Sequence, residues 1–214
     1  TDPWVIRRNL SMLEDAGVDV LLCDVTNGFT YPEEVRALCE VARQMRGEGN
    51  RTPQIAFVTH SDAAQTIHKL YDEFYAKRLY PEMWFPWKGK PLLLGDRDAT
   101  FPDGSHLPPA IQSFFTWRYS WAWEPGKDKW PWIDHSPQRY GWDTDPQVPE
   151  EAPAAVASHP VLNIGRSYHD GQEPPLDRYG LTPTDGHGRY FAQQLTRLLQ
   201  IDPEFAFIDG WNEW

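Results

Sequence analysis

The last nine residues, AFIDGWNEW, set three apolar positions before Asp209 and then place Asn212 and Glu213 between Trp211 and Trp214. A carboxamide next to a carboxyl suits chemistry on a hydroxylated ring. The amide orients a hydroxyl near the reacting carbon, while the acid transfers a proton or stabilises charge, and glycoside cleavage needs two such carboxyls across the scissile bond. Flanking indoles would exclude water and raise the acid's pKa by desolvation.

Other polar residues end apolar runs in the same way. They are Asp24 and Asn27; His60; Asp96; Trp117 and Arg118; Asp134, His135 and Gln138; His159; and Asp209. Any one of them could merely cap a helix or satisfy a loop. Their joint position at strand ends suggests a rim of carboxylates, imidazoles and guanidiniums that perturb one another's pKa values. Tryptophans fall beside the same positions, and sugar sites join aromatic platforms to Asn, Asp, Arg and His groups. Asp24 and Asp134 are the leading candidates for a second catalytic carboxyl, with Asp209 behind them, and Asp24 is alternatively a hydroxyl-binding group or the internal partner of Arg118. Asn27, His60, Trp117, Arg118, His135, Gln138, His159, Asp209, Trp211 and Asn212 are candidate substrate-binding residues. Arg118, Arg139 and Arg166 permit an anionic glycan, although surface arginines are common.

Two rival chemistries use the same rim. His60, His135, His159, Asp24 and Asp134 could serve a metal-dependent hydrolase, but no HxH or HExxH spacing is present, and no metal or other cofactor is expected. A non-catalytic carbohydrate-binding protein would keep the platforms and lack the second carboxyl. Nucleophilic serine chemistry has no G-x-S-x-G elbow.

The elements that must position these residues alternate. In DPWVIRRNLSMLEDAG, Asp2 caps a helix with Pro3 at its first position, Ile6, Leu10 and Leu13 share one face, and Gly17 ends it. The run VDVLLCDVTN then reads as a strand buried on both faces. Thr30-Tyr31-Pro32-Glu33 resembles a capping box opening a second helix. QIAFVTH is a second strand, and Ser61 or Asp62 caps a third helix. Five more strands are expected at KPLLLGD, FFTWRYSW, KWPWIDH, AAVASH and EFAFIDG, with a helix at GRYFAQQLTRLLQ before the last. Seven strands with intervening helices predict a (β/α)8 barrel of one domain, residues 1–214, whose first strand would precede Thr1. A doubly wound sheet competes, but no glycine-rich phosphate fingerprint follows any strand.

Composition narrows the partner. With 214 residues and a formal charge of −11, the chain repels nucleic acid, and no Lys/Arg run offsets that field. No apolar stretch approaches the roughly 18 residues of a membrane span. Cys23 and Cys39 lie in a strand-like and a helix-like run and read as buried thiols.

The closing WNEW, after an apolar strand and a Gln- and Leu-rich helix, resembles the same segment in glycoside hydrolase families 71 and 99 and the related WbsX-type proteins. AGVDVLLCDVTN and WKGKPLLLGD are similar, more loosely, to an early and a mid-barrel strand of those families. The resemblance implies a secreted or periplasmic (β/α)8-barrel enzyme acting on an α-linked glycan, with Glu213 as a catalytic carboxylate and no cofactor. In family 99 the motif continues to a second glutamate three residues on, which would lie beyond Trp214.

Overall fold

The computed structural model describes residues 2–156 and 189–210. The chain divides into two compact units, Thr1–Arg118 and Tyr119–Trp214.

The first unit is helix and strand in alternation. Helix α1 (Pro3–Asp15) starts as its sequence dictates, with the Asp2 carboxylate accepting the Trp4 N–H at 2.8 Å and Pro3 supplying a fixed φ. It ends where Gly17 takes a φ of 74°, and the Val18 N–H returns to the Leu13 carbonyl at 3.0 Å. Strand β1 (Val20–Asp24) follows, then α2 (Pro32–Gly47), β2 (Gln54–Val58) and α3 (Ala63–Leu70), which runs into a π-helical turn at Tyr71–Tyr75. A short hairpin joins β3 (Pro86–Trp87) to β4 (Lys90–Leu94), and α4 (Pro109–Phe114) leads to β5 (Thr116–Arg118).

Strands β1, β2, β4 and β5 are parallel, each paired to the next in that order, while β3 lies antiparallel on β4. This is a mixed α/β architecture on a mainly parallel sheet, as the alternating pattern predicts. Among the described residues there is no closed barrel.

The core of this unit is built on Phe57, in β2, whose ring lies 6.0 Å from Phe74 and 5.8 Å from Trp84. Tyr75 meets Phe115 edge-on at 4.8 Å, and Ile67, Leu70, Met83 and Leu93 are fully buried around them. Burying each such side chain is worth about 1.5–3 kcal/mol, so the sheet is held by apolar contact from helices α2 and α3. Cys39 is buried in the same core, as expected, and burial pushes its thiol up to about 12.

The second unit centres on a β–α–β module. Strand β6 (Glu151–Ala155) and β7 (Phe205–Asp209) are parallel and in register, Ala155 beside Asp209, with α5 (Arg189–Ile201) between them in sequence. Ala152 and Ala154 face α5, where they pack with Leu198, Ile201 and Leu195. Glu151, Pro153 and Ala155 alternate to the other face.

Five expectations are corrected. KWPWIDH (129–135) forms no strand: Trp130 donates to the Tyr119 carbonyl at 2.8 Å, and Pro131, without an N–H, ends the ladder there. The strand expected at 154–159 begins earlier, as β6, Glu151–Ala155, and positions 157–159 lie outside the described residues. FFTWRYSW contributes only three strand residues, because Phe114 and Phe115 turn into the core against Tyr71 and Tyr75. Thr30 does not cap α2: Tyr31 sits at the helix start with φ 45°, and no side chain accepts a first-turn N–H. Asp62 likewise precedes α3 with φ 47° and no side-chain cap.

One crossing in the second unit admits no side chain. Gly141 donates its N–H to the Glu151 carbonyl at 2.8 Å, and a Cβ added there would overlap the Lys129 carbonyl oxygen.

Candidate active site

In the first unit the strand register sets Asp24, Val58, Leu94 and Arg118 in one row across four strands, so the residues just after that row share one edge. Asp24 is exposed there, and its Oδ1 accepts the Thr26 N–H at 2.8 Å, an Asx turn that leaves the carboxylate facing solvent. On β2 the same edge carries Thr59, buried, and His60, exposed. After β4 it carries Asp96, exposed, whose Oδ1 accepts the Asp98 N–H at 2.9 Å.

Arg118 closes the row, only 5% exposed, with Nη1 donating to the Trp117 carbonyl at 2.7 Å. Two strands stand between Asp24 and Arg118, roughly 14 Å of sheet at the usual strand spacing. Trp117 donates its Nε1–H to the Gln112 carbonyl at 2.8 Å and packs against the core, as a wall more than an open platform.

Asn27 is exposed, but both ends of its amide are engaged. Its Nδ2 donates to the Tyr31 hydroxyl at 2.6 Å and its Oδ1 accepts the Phe29 N–H at 3.0 Å. The sequence marks Asn27 as a substrate contact; here it orders the loop that carries two exposed aromatic rings.

In the second unit Asp134 is completely buried and held by Arg139 through two bonds, Nε to Oδ2 at 2.8 Å and Nη2 to Oδ1 at 2.7 Å, with the Arg139 N–H adding a third at 3.0 Å. A fork of this kind fixes the loop 134–139 and raises the Arg139 guanidinium above its ordinary value through the Asp134 bond. Gln138, also buried, donates through Nε2 to the Pro153 and Gln194 carbonyls at 3.1 and 3.2 Å. It ties the loop to β6 and α5. His135 is exposed and stacks on Trp123, ring centroids 6.1 Å apart.

An aromatic cluster surrounds the C-terminal end of β6. Trp123, Trp132 and Tyr190 pack with Ala122, Ile133 and Ala155, and Trp121 meets Trp132 edge-on at 6.3 Å. Asp209 ends β7 next to Ala155 and, after burial, contributes to raising the Tyr190 phenol.

Sequence reasoning missed Glu151. Its carboxyl is completely buried, neither oxygen has a hydrogen-bond partner among the described residues, and its pKa is raised well above the carboxylate range, by burial first and by Glu150 and Asp134 after that. Within EEAPAA nothing in residue type or spacing marks it. Its neighbour Glu150 accepts the Trp130 Nε1–H at 2.9 Å. Sequence reasoning also missed Phe29 and Tyr31; the turn signal Asn27-Gly28 followed by two aromatics was the available clue.

His159, Trp211, Asn212 and Glu213 lie outside the described residues, as does Arg166. Among the described residues no group of three or more His, Cys, Asp or Glu side chains is arranged to hold a metal ion, and no helix is long and apolar enough to cross a membrane. Comparison with family models, with curated proteins and with solved structures gives no match for this chain.

Proposed function

We propose that the chain is a glycoside hydrolase, secreted or periplasmic, built on a (β/α)8 barrel and cleaving an O-glycosidic bond with Glu213 as one catalytic carboxyl and no cofactor. The observation that carries the reading is the end of β7. A parallel strand stops at Asp209 beside Ala155, where Trp123, Trp132 and Tyr190 gather, and the sequence runs from there through Gly210 directly into Trp211-Asn212-Glu213-Trp214. Catalytic groups of barrel enzymes come from such C-terminal strand ends. The order β1, β2, β4, β5 supports the barrel reading, because consecutive parallel pairing is what a barrel requires and a doubly wound sheet reverses.

Replacing Glu213 by Gln in the full chain tests the assignment. Hydrolysis should fall by at least a thousandfold while affinity for the same glycan changes less than threefold. Equal loss of both would assign Glu213 to binding and reject catalysis.

A second reading, a glycan-binding protein without hydrolysis, is favoured by one observation. Both Asp134 oxygens are taken by Arg139, so this candidate for the second carboxyl is committed to structure.

A further inference from the structure

The loop after β1 exposes more aromatic surface than its neighbours. Phe29 is 67% exposed and Tyr31 42%; among the described residues Trp4, at 70%, is the one other Phe, Tyr or Trp ring as open, and it stands alone on α1. Their centroids are 6.3 Å apart with planes inclined at 44°, a shallow open angle and not a closed stack. Exposed apolar residues scattered singly need no explanation, but these two are held together.

The holding is specific. Asn27 spends its Nδ2 on the Tyr31 hydroxyl and its Oδ1 on the Phe29 N–H, and the Gly28 N–H returns to the Val25 carbonyl at 3.0 Å. Tyr31 itself sits at φ 45°, a backbone state that a bulky residue adopts at a cost. The neighbouring loop supports it from one side: the Ser61 N–H donates to the Thr26 carbonyl at 2.8 Å, and Gly28 lies against Ser61 and Asp62. A strained, cross-braced loop thus keeps two rings in solvent, five and seven residues along the chain from the exposed carboxylate of Asp24.

We propose that Phe29 and Tyr31 form an aromatic subsite for a neutral pyranose, with Asp24 accepting hydrogen bonds from its hydroxyls. A pyranose offers an apolar C–H face to the rings and hydroxyl donors at its edge. The Tyr31 hydroxyl accepts from Asn27 and keeps its own proton to donate. Charge selects against an acidic sugar. Asp24, Asp62, Asp96 and Asp98 are all exposed on the loops of this edge and outnumber its exposed Arg97 and His60, and the chain carries −11 overall. The subsite rests on the glycan reading above and narrows its substrate class from a glycan that permits anionic groups to a neutral one.

The test uses the full chain with three probes: maltoheptaose, mannotetraose and a heparin octasaccharide. Titration calorimetry of the wild type should show binding of a neutral probe and none of heparin. Phe29→Ala should weaken the neutral probe about tenfold, and Asn27→Ala, which frees both rings, about threefold, with thermal unfolding of Phe29→Ala unchanged. Unchanged affinity in Phe29→Ala, or tighter binding of heparin than of either neutral probe, overturns the subsite. So does sedimentation showing a wild-type dimer that Phe29→Ala converts to monomer with no loss of affinity. If Glu213→Gln abolishes hydrolysis while Phe29→Ala changes nothing, the subsite falls and the hydrolase stands. If no probe is bound or cleaved, the glycan reading itself falls, and the subsite with it.

Discussion

Glu151 makes the stability of the second unit depend on pH in an unusual direction. Burial raises its pKa well above the ordinary value of 4.5, with Glu150 and Asp134 adding to the effect. The folded chain therefore keeps a proton that the unfolded chain releases. In the window that opens near pH 4.5 and closes at the raised folded value, the native state binds one more proton than the unfolded state. Stability then falls as pH rises, by about 1.4 kcal/mol per pH unit for this one group. Because the side chain is completely buried, solvent does not screen the effect.

Glu151→Gln keeps the shape and removes the titration. Urea unfolding of wild type and variant at half-unit steps from pH 5 upward should give curves that diverge. The variant gains about 1.4 kcal/mol relative to wild type for each unit until the folded carboxyl ionises. The amide adds a constant offset, since its N–H groups lack partners as the carboxyl oxygens do, but an offset does not change a slope. Curves that stay parallel across the whole range would refute the argument, and so would a wild type that gains on the variant as pH rises.

Two further outcomes are expected from the same physical terms. Arg139→Met should cost about 2–3 kcal/mol, because it leaves the Asp134 carboxylate buried and unpaired, and Asp134→Asn in the same chain should recover part of that loss; the arginine's own 58% exposure keeps the figure at the low side for a buried pair. Cys39, its thiol pushed up to about 12 by burial, should resist iodoacetamide at pH 8 in the native protein and react fully in denaturant, as followed by mass spectrometry.

The sequence made the first unit readable and the second only in part, and the reasons are local. Asp2-Pro3 and the runs VLLCD and QIAFV carry their own structure, since a cap, a fixed φ and continuous apolar strands leave few alternatives. In β6 Pro153 is tolerated because among the described residues the strand has a ladder on one side only, with β7, and a proline without an N–H fits such an edge. KWPWIDH carried strand-like residues but has Pro131 where a ladder N–H was needed. The positions of Asp24, Asn27, His60 and Asp96 at or just after strand ends were legible, because strand ends can be located by composition. Asp134 was located but its role was not, because nothing in WPWIDHSPQR reveals that Arg139 folds back onto it. Glu151 was invisible for the converse reason: burial of an acid leaves no mark in a single sequence.

The crossing at Gly141 has a consequence for how this chain can vary. The Lys129 peptide occupies the space where a Cβ would stand. Every substitution at 141 must therefore displace main chain, whatever its polarity or size. In a library covering all positions, 141 should be among the least tolerant sites although no chemistry is assigned to it. In sequences related by descent, a glycine ten residues before the Glu151 position would fix the alignment through a stretch where strand signals are weak and prolines mislead. A position with no side chain is in that sense a reliable landmark for recognising kin of this protein.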